Sequence, residues 1–135
     1  MNTIIQFDEL EYSDDKLYYQ LYCYKGAPFS GVAQGRDEDG SFEYSYANGL
    51  PDGTCRKWYP NGVLKEYAEY KRGALNGEFS SFFPDGRLRE RGKFEFGFKI
   101  EFVERLDDGR EKSHYKMADG DSKWIIIEHL RATRG

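Results

Sequence analysis

One spacing constrains this chain more than any other: glycine-bearing turn signals return every 22 to 24 residues. Asp39-Gly40, Asn61-Gly62, Asp85-Gly86 and Asp108-Gly109 stand 22, 24 and 23 residues apart. A second series, Gly49, Gly73, Gly97 and Gly120, is spaced 24, 24 and 23. A third, Gly31, Gly53 and Gly77, is spaced 22 and 24, and its next slot holds Glu101. Self-similarity at a fixed period of this size marks a repeat architecture in which each unit is one supersecondary element. Glycine after Asn or Asp supplies the positive φ of a tight hairpin turn, and Pro60 and Pro84 pre-set the residue before it. Each unit therefore reads strand, turn, strand, turn, and the expected fold is all-β, a meander of antiparallel β-hairpin repeats.

The strands fall at 41–47, 53–59, 63–71, 77–83, 87–96, 100–106 and 110–117. Alternation along them assigns two faces. One carries Phe42, Tyr44 and Tyr46, then Leu64, Glu66, Ala68 and Tyr70, then Leu88, Glu90, Gly92 and Phe94, and last Tyr115 and Met117. This apolar ladder is the expected packed face. The other carries Val63, Lys65, Tyr67 and Glu69, then Arg87, Arg89, Arg91 and Lys93, then Arg110, Lys112, His114 and Lys116, and is wet and increasingly basic. A three-residue loop would set Tyr59 opposite Val63 and Phe83 opposite Arg87, placing one aromatic per repeat on the wet face. Residues 17–24 and 28–36 read as an opening hairpin, 4–12 as an extra strand, and 123–130 as a closing strand that covers the last edge, since an open edge invites aggregation. No helix is expected; 128–135 is too short to be helical by itself. The chain divides as one domain, with capping strands in 1–26, four hairpin repeats in 27–120, and a capping strand and tail in 121–135.

Composition agrees with this and narrows the function. Length 135 fits one domain. Aromatic residues make up 17%, which favours strands. The net charge of -4 is uneven: residues 1–49 hold nine acidic and three basic side chains, and residues 50–135 hold fifteen and seventeen. A general basic surface for nucleic acid is therefore absent. The two cysteines, Cys23 and Cys55, are too few and too far apart for a disulfide framework, a zinc site or dithiol chemistry, and read as reduced, buried thiols of a cytoplasmic protein. His114 and His129 fall on different predicted strands and make no metal set. The carboxylate groups at 14–15, 37–39 and 107–108 sit in turns, where Asp bonds its own backbone. The glycines are absorbed by turns and form no phosphate-binding loop. The N-terminus lacks a positive segment and no run is long enough to span a bilayer, so neither a signal peptide nor integral membrane association is expected. No catalytic constellation, metal or cofactor is expected.

The stretches GTCRKWYPNGVLKEYAEYKRGALNG (53–77) and GEFSSFFPDGRLRERGKFEFG (77–97) resemble the variant MORN repeat of bacteria, and the opening LYYQLYCYKGAPFSG (17–31) is similar to the lead-in segment of such proteins. The resemblance covers about residues 17–120. It weakens in the last repeat, where Asp107 takes the slot of Pro60 and Pro84 and one residue is lost. It implies successive hairpins in an elongated, twisted, single-layer sheet. It also implies kinship with the YwqK-like antitoxin or immunity group: small cytoplasmic proteins that bind and block a cognate polymorphic toxin, a nuclease among the options, by covering its active site. The repeat also occurs in scaffolds and on anionic membrane surfaces, so the alternative is such a binding module.

Tyr, Trp and Arg dominate protein–protein hot spots. The candidate partner-binding residues are therefore Tyr59, Tyr67, Phe83, Arg89 and Arg91 on the wet face. Asp37, Glu38 and Asp39 are a second candidate for a basic toxin. The ordinary reading of the Arg87, Arg89, Arg91 and Lys93 stripe is a solvated face paired across strands with Glu69, Glu78 or Glu104.

Overall fold

The computed structural model describes residues 3–134; Met1, Asn2 and Gly135, the outermost residues of the two expected caps, lie outside them. In chain order the elements are β1 (Ile4–Gln6), a 3-10 turn at Phe7–Glu9, β2 (Glu11–Tyr12), β3 (Tyr22–Tyr24), β4 (Ala27–Pro28), β5 (Gly31–Asp37), β6 (Gly40–Ala47), β7 (Leu50–Trp58), β8 (Leu64–Lys71), β9 (Ala74–Phe82), β10 (Leu88–Glu95), β11 (Phe98–Arg105), β12 (Glu111–Lys116) and α1 (Lys123–Arg134). Nine strands form one open sheet in the order β1-β5-β6-β7-β8-β9-β10-β11-β12. From β5 onward it is an antiparallel meander, as the turn grammar requires.

The two glycine series at the hairpin ends do different jobs. Lys25-Gly26, Asn48-Gly49, Arg72-Gly73 and Phe96-Gly97 are two-residue loops with both residues at positive φ. This is the type I′ geometry, whose twist matches that of the flanking strands. The last three of these loops are each tied to the preceding repeat. The N–H groups of Gly49, Gly73 and Gly97 donate to the carbonyls of Phe29, Pro51 and Leu75. Those of Asn48, Arg72 and Phe96 donate to side-chain oxygens of Ser30, Asp52 and Asn76, at 2.9, 3.0 and 2.9 Å. At the opposite strand ends the loops have three residues, 60–62, 84–86 and 107–109. Tyr59 N–H donates to Val63 O at 2.9 Å and Phe83 N–H to Arg87 O at 2.8 Å, the expected opposition. Asn61, Asp85 and Asp108 each accept from the N–H two residues on. Asp39-Gly40 departs from this set: the β5–β6 loop is Glu38-Asp39, and Gly40 already pairs with Asp37 in β6. Gly120 departs too, because the chain after it enters α1.

The third glycine series marks bulges. Between Tyr44/Cys55 and Tyr46/Pro51, β7 holds two more residues than β6; β9 does the same against β8 between Ala68/Phe79 and Tyr70/Leu75. Gly53 and Gly77 sit in these bulges. Against β10, β11 has only the one extra residue Ile100. The bulge is thus one residue shorter than in β7 and β9, which accounts for the residue lost from the last repeat, and no glycine is needed at Glu101.

A second bulge per repeat corrects the expected faces. Lys57 pairs with Glu66 but Trp58 with Leu64, so Lys65 is the extra residue; Arg89 and Lys112 are its counterparts in β10 and β12. Cross-strand partners share a face. Leu64 and Leu88 therefore lie with Trp58 and Phe82, on the face opposite Glu66 and Ala68, rather than on the packed face. Strict alternation fails at a bulge.

The N-terminal segment makes a second layer, so the sheet is not single-layered throughout. Strands β2, β3 and β4 form a separate three-stranded sheet. Expected strand 17–24 is extended only at Tyr22–Tyr24; residues 13–21 form a loop closed by Ser13 and Leu21. Expected strand 28–36 breaks at Phe29-Ser30, where the chain leaves this small sheet for the large one. Expected strand 4–12 splits into β1, the 3-10 turn and β2. Strand β1 lies parallel to β5, Ile5 against Ala33, and takes the N-terminal edge. A Cβ on Gly31 would run into the Thr3 carbonyl oxygen, which accepts from Val32 N–H; only glycine admits β1 this closely. The core of this end is Ile5, Phe29, Ala33 and Tyr46, with Phe7, Leu10, Tyr22, Tyr24 and Tyr44 packed on it. Farther along the same face, Phe79, Phe94 and Phe102 pack as a second aromatic cluster.

The closing strand expected at 123–130 is a helix. The β-branched run Ile125-Ile126-Ile127 reads as strand, but the chain around it supplies helical signals. Asp121 Oδ1 accepts the N–H of Lys123 at 2.9 Å, and Trp124 N–H donates to Asp121 O. Ile127 is fully buried, and Trp124 and Leu130, three residues to either side, are half-buried, the spacing of one helix face. Arg131 donates two bonds to the Glu95 carboxylate at 2.8 and 2.6 Å. Helix α1 thereby caps the end of the sheet near the Phe96 and Arg72 loops, and β12 keeps an open outer edge.

Candidate partner-binding surface

The outer face of the large sheet carries, in register across its strands, Glu43, Arg56, Tyr67, Ser80, Arg91, Val103 and His114. The structure brings together two expected residues here, Tyr67 and Arg91, with the Ser80 strand between them. Arg56, which the sequence reading passed over, stacks over the Tyr67 ring at 5.4 Å. Its place is recoverable from the repeat, since Arg56 alternates with Cys55 and Lys57 on β7. Arg91 and Lys93 are exposed. Lys93 lies across from Glu78 and Glu101, whereas Arg91 is flanked by Ser80 and Val103. Among the described residues neither Arg89 nor Arg91 makes an ion pair, while Arg87 bonds Asp85 at 2.7 Å.

The remaining expected residues gather along the three-residue-loop edge, not on the face. Tyr59 donates its hydroxyl to Phe82 O at 2.8 Å and carries Lys65 over its ring at 5.4 Å. It thus ties one repeat to the next, as Asn61 does through Pro84 O at 3.0 Å. Phe83 is half-buried at the neighbouring loop, and Arg89 is the exposed bulge residue beside it. Asp37, Glu38 and Asp39 form the tip of the β5–β6 hairpin, where Asp39 N–H donates to Asp37 Oδ1 at 2.8 Å. Asp37 and Asp39 line a depression with Phe42, Trp58 and Lys65.

The inner face holds a feature that sequence reasoning treated as core. Between the N-terminal layer and the middle of the sheet, Tyr22, Tyr44, Tyr46, Cys55, Lys57, Glu66 and Tyr70 line a pocket of about 210 Å³. Burial raises the pKa of Tyr44, Tyr46 and Tyr70, and likewise that of Cys55. Burial pulls Lys57 down, but Glu66, 3.3 Å away, together with Tyr44 and Tyr70 outweighs it and the net shift is upward. At neutral pH the pocket therefore contains phenols, a thiol and one matched ion pair. A thiol held protonated is a poor nucleophile, and an aromatic pocket with a few polar groups is a seat for a projecting side chain. The alternation that put Tyr44, Tyr46, Glu66 and Tyr70 on one face was legible; that nothing fills the space above them was not.

Among the described residues no helix is long and apolar enough to cross a membrane, and no three His, Cys, Asp or Glu side chains are grouped as a metal site would need. No family model matches the chain, and no curated protein matches it.

Proposed function

We propose that this chain is a partner-binding protein of the immunity type: it acts in the cytoplasm, holds a cognate toxin and blocks it by laying the sheet across the toxin's active cleft. The observation that carries this reading is the outer face, where Arg56 stacks over Tyr67 and Arg91 stands two strands further along the same row, exposed and without a carboxylate opposite it. Tyr and Arg on a preformed sheet spend little ordering entropy on binding. The likeness of residues 17–120 to the variant MORN repeat supports the immunity role. The test is co-expression with the product of the neighbouring reading frame. Toxicity of that product alone, rescue by this chain, and loss of rescue in Tyr67→Ala/Arg91→Glu support the reading. A neighbour that is harmless alone and is not retained on the immobilised chain defeats it.

The exposed Arg89, Arg91 and Lys93 favour a second reading, a module for anionic membrane surfaces. Salt-sensitive co-sedimentation with phosphatidylserine vesicles, abolished by changing Arg89 and Arg91 to Glu, would replace the first reading with this one.

A further inference from the structure

The groups around the inner-face pocket limit what can fill it. One side is the sheet, where Tyr44 of β6, Cys55 of β7 and Ala68 of β8 stand side by side in register. The other is Tyr22 of the N-terminal layer, whose ring lies 5.2 Å from that of Tyr46. The space of about 210 Å³ is smaller than the roughly 300–1,000 Å³ of sites that take drug-sized ligands, so it holds one ring.

Charge sets the first limit. Lys57 and Glu66 stand 3.3 Å apart at the pocket, their side chains 42% and 32% accessible. An anion drawn to Lys57 meets Glu66, and a cation drawn to Glu66 meets Lys57, so the occupant is neutral. The phenols set the second limit. Tyr46 is only 7% exposed. Burial, then the neighbouring Tyr22, Cys55 and Tyr44, keep its hydroxyl protonated, and no hydrogen bond among the described residues acts on it. No sealed side-chain nitrogen or oxygen among those residues lacks a partner, so this hydroxyl opens into the pocket that its neighbours line. Burial likewise keeps Tyr70 protonated beside it. An apolar side chain seated here would strip water from these hydroxyls and return no hydrogen bond, which is costly for a buried polar group. A ring that carries its own hydroxyls pairs with them and with Lys57 and Glu66. Its polarised C–H groups lie against the tyrosine rings, whose faces are negative.

We propose that this pocket is a binding site for a single neutral sugar ring, free or at the end of a glycan, held by the hydroxyls of Tyr46 and Tyr70 and by the Lys57–Glu66 pair. The site is on the face opposite Arg56, Tyr67 and Arg91, and its occupancy is independent of the toxin reading.

The test titrates the isotope-labelled full chain with glucose, galactose, mannose and N-acetylglucosamine and follows the backbone amides by NMR. The expected result is a saturable shift, for at least one sugar, confined to the pocket segments 44–46, 55–57 and 66–70. Glucosamine and glucuronate, which carry a charge, should bind about tenfold more weakly than the neutral sugars. Tyr46→Phe deletes the hydroxyl and keeps the ring, and should weaken the sugar about three- to tenfold; unshifted amides outside the pocket check that its fold is kept. No saturable shift with any of the four sugars overturns the proposal. So does indole binding more tightly than every sugar, a charged relative binding as tightly as the neutral ones, or an affinity that Tyr46→Phe leaves unchanged. Maltotriose and chitotriose separate the two sources. A trisaccharide that binds at least as tightly as its monosaccharide supports a glycan end in the pocket, and one that binds more weakly supports a free sugar. None of these outcomes bears on the outer face, which shares no side chain with the pocket.

Discussion

Replacing Ile127 with alanine asks whether α1 is part of the sheet's stability or a separately docked cap. Ile127 is fully buried, on a helix of 12 residues. A helix that short is marginal in water, so docking must supply what propensity does not. Three contacts are available. Burying and filling the Ile127 site is worth about 2–5 kcal/mol by the usual cost of Ile→Ala. The Trp124 indole N–H donates to Ala118 O at 2.9 Å, for about 1 kcal/mol. The Glu95–Arg131 pair is partly exposed, with side chains 32% and 48% accessible, so solvent screening leaves it the smallest of the three. Ile127 thus dominates, and its loss should exceed what the other two return. The expected outcome is local: far-UV circular dichroism loses its helical component and amides 124–134 exchange freely with deuterium. The sheet's urea midpoint should fall only slightly, because local opening limits the cost felt by the rest. If those amides stay protected while the midpoint drops by the full cavity cost, α1 unfolds with the sheet and the reasoning is wrong.

Other consequences concern single contacts. Arg72 holds φ at 49° in a type I′ loop while its N–H bonds Asp52; Arg72→Asn keeps that bond, eases the strain and should raise stability by about 0.5–1 kcal/mol in urea titration. A decrease would show that the arginine side chain makes a contact worth more than the strain. The Arg131 side-chain hydrogen bond holds Glu95 below the usual carboxylate range, against an opposing desolvation effect. A lowered native pKa contributes stability above the unfolded value of about 4.3 that is lost as pH falls through the native one. Exchange of the α1 amides should therefore speed up only on acidification below that range, and Glu95→Gln should flatten the response; a response centred near neutrality would refute this assignment. Burial raises the Cys55 thiol, so a disulfide reagent at neutral pH should label it slowly in the native protein and quickly in urea. Fast native labelling would mean that the pocket exposes a thiolate.

The sequence by itself determined the meander. Turn chemistry is local: a type I′ loop needs residues that tolerate positive φ, and a three-residue loop needs glycine at its last position. Three positions of each kind, spaced alike, leave little else for the chain to do. The missing glycine at 101 was visible as well, although its cause, a bulge one residue shorter, was not. What only the tertiary structure decided is which way side chains point after a bulge and what each end does. Leu64 and Leu88 change faces because Lys65 and Arg89 are extra residues, and register is a property of two strands together. Ile125-Ile126-Ile127 is helical because burial of one of the three outweighs the strand preference of all of them. Apart from β1, which takes the edge of β5, the described N-terminal segment folds over the aromatic face, where Phe7, Tyr22 and Phe29 pack against Phe42, Tyr44 and Tyr46. The surface most open to a partner follows from the same cause. Arg56 and Tyr67 meet only because β7 and β8 pair in this register, and Arg91 lacks a carboxylate because Ser80 and Val103, not Glu78 and Glu104, stand across from it.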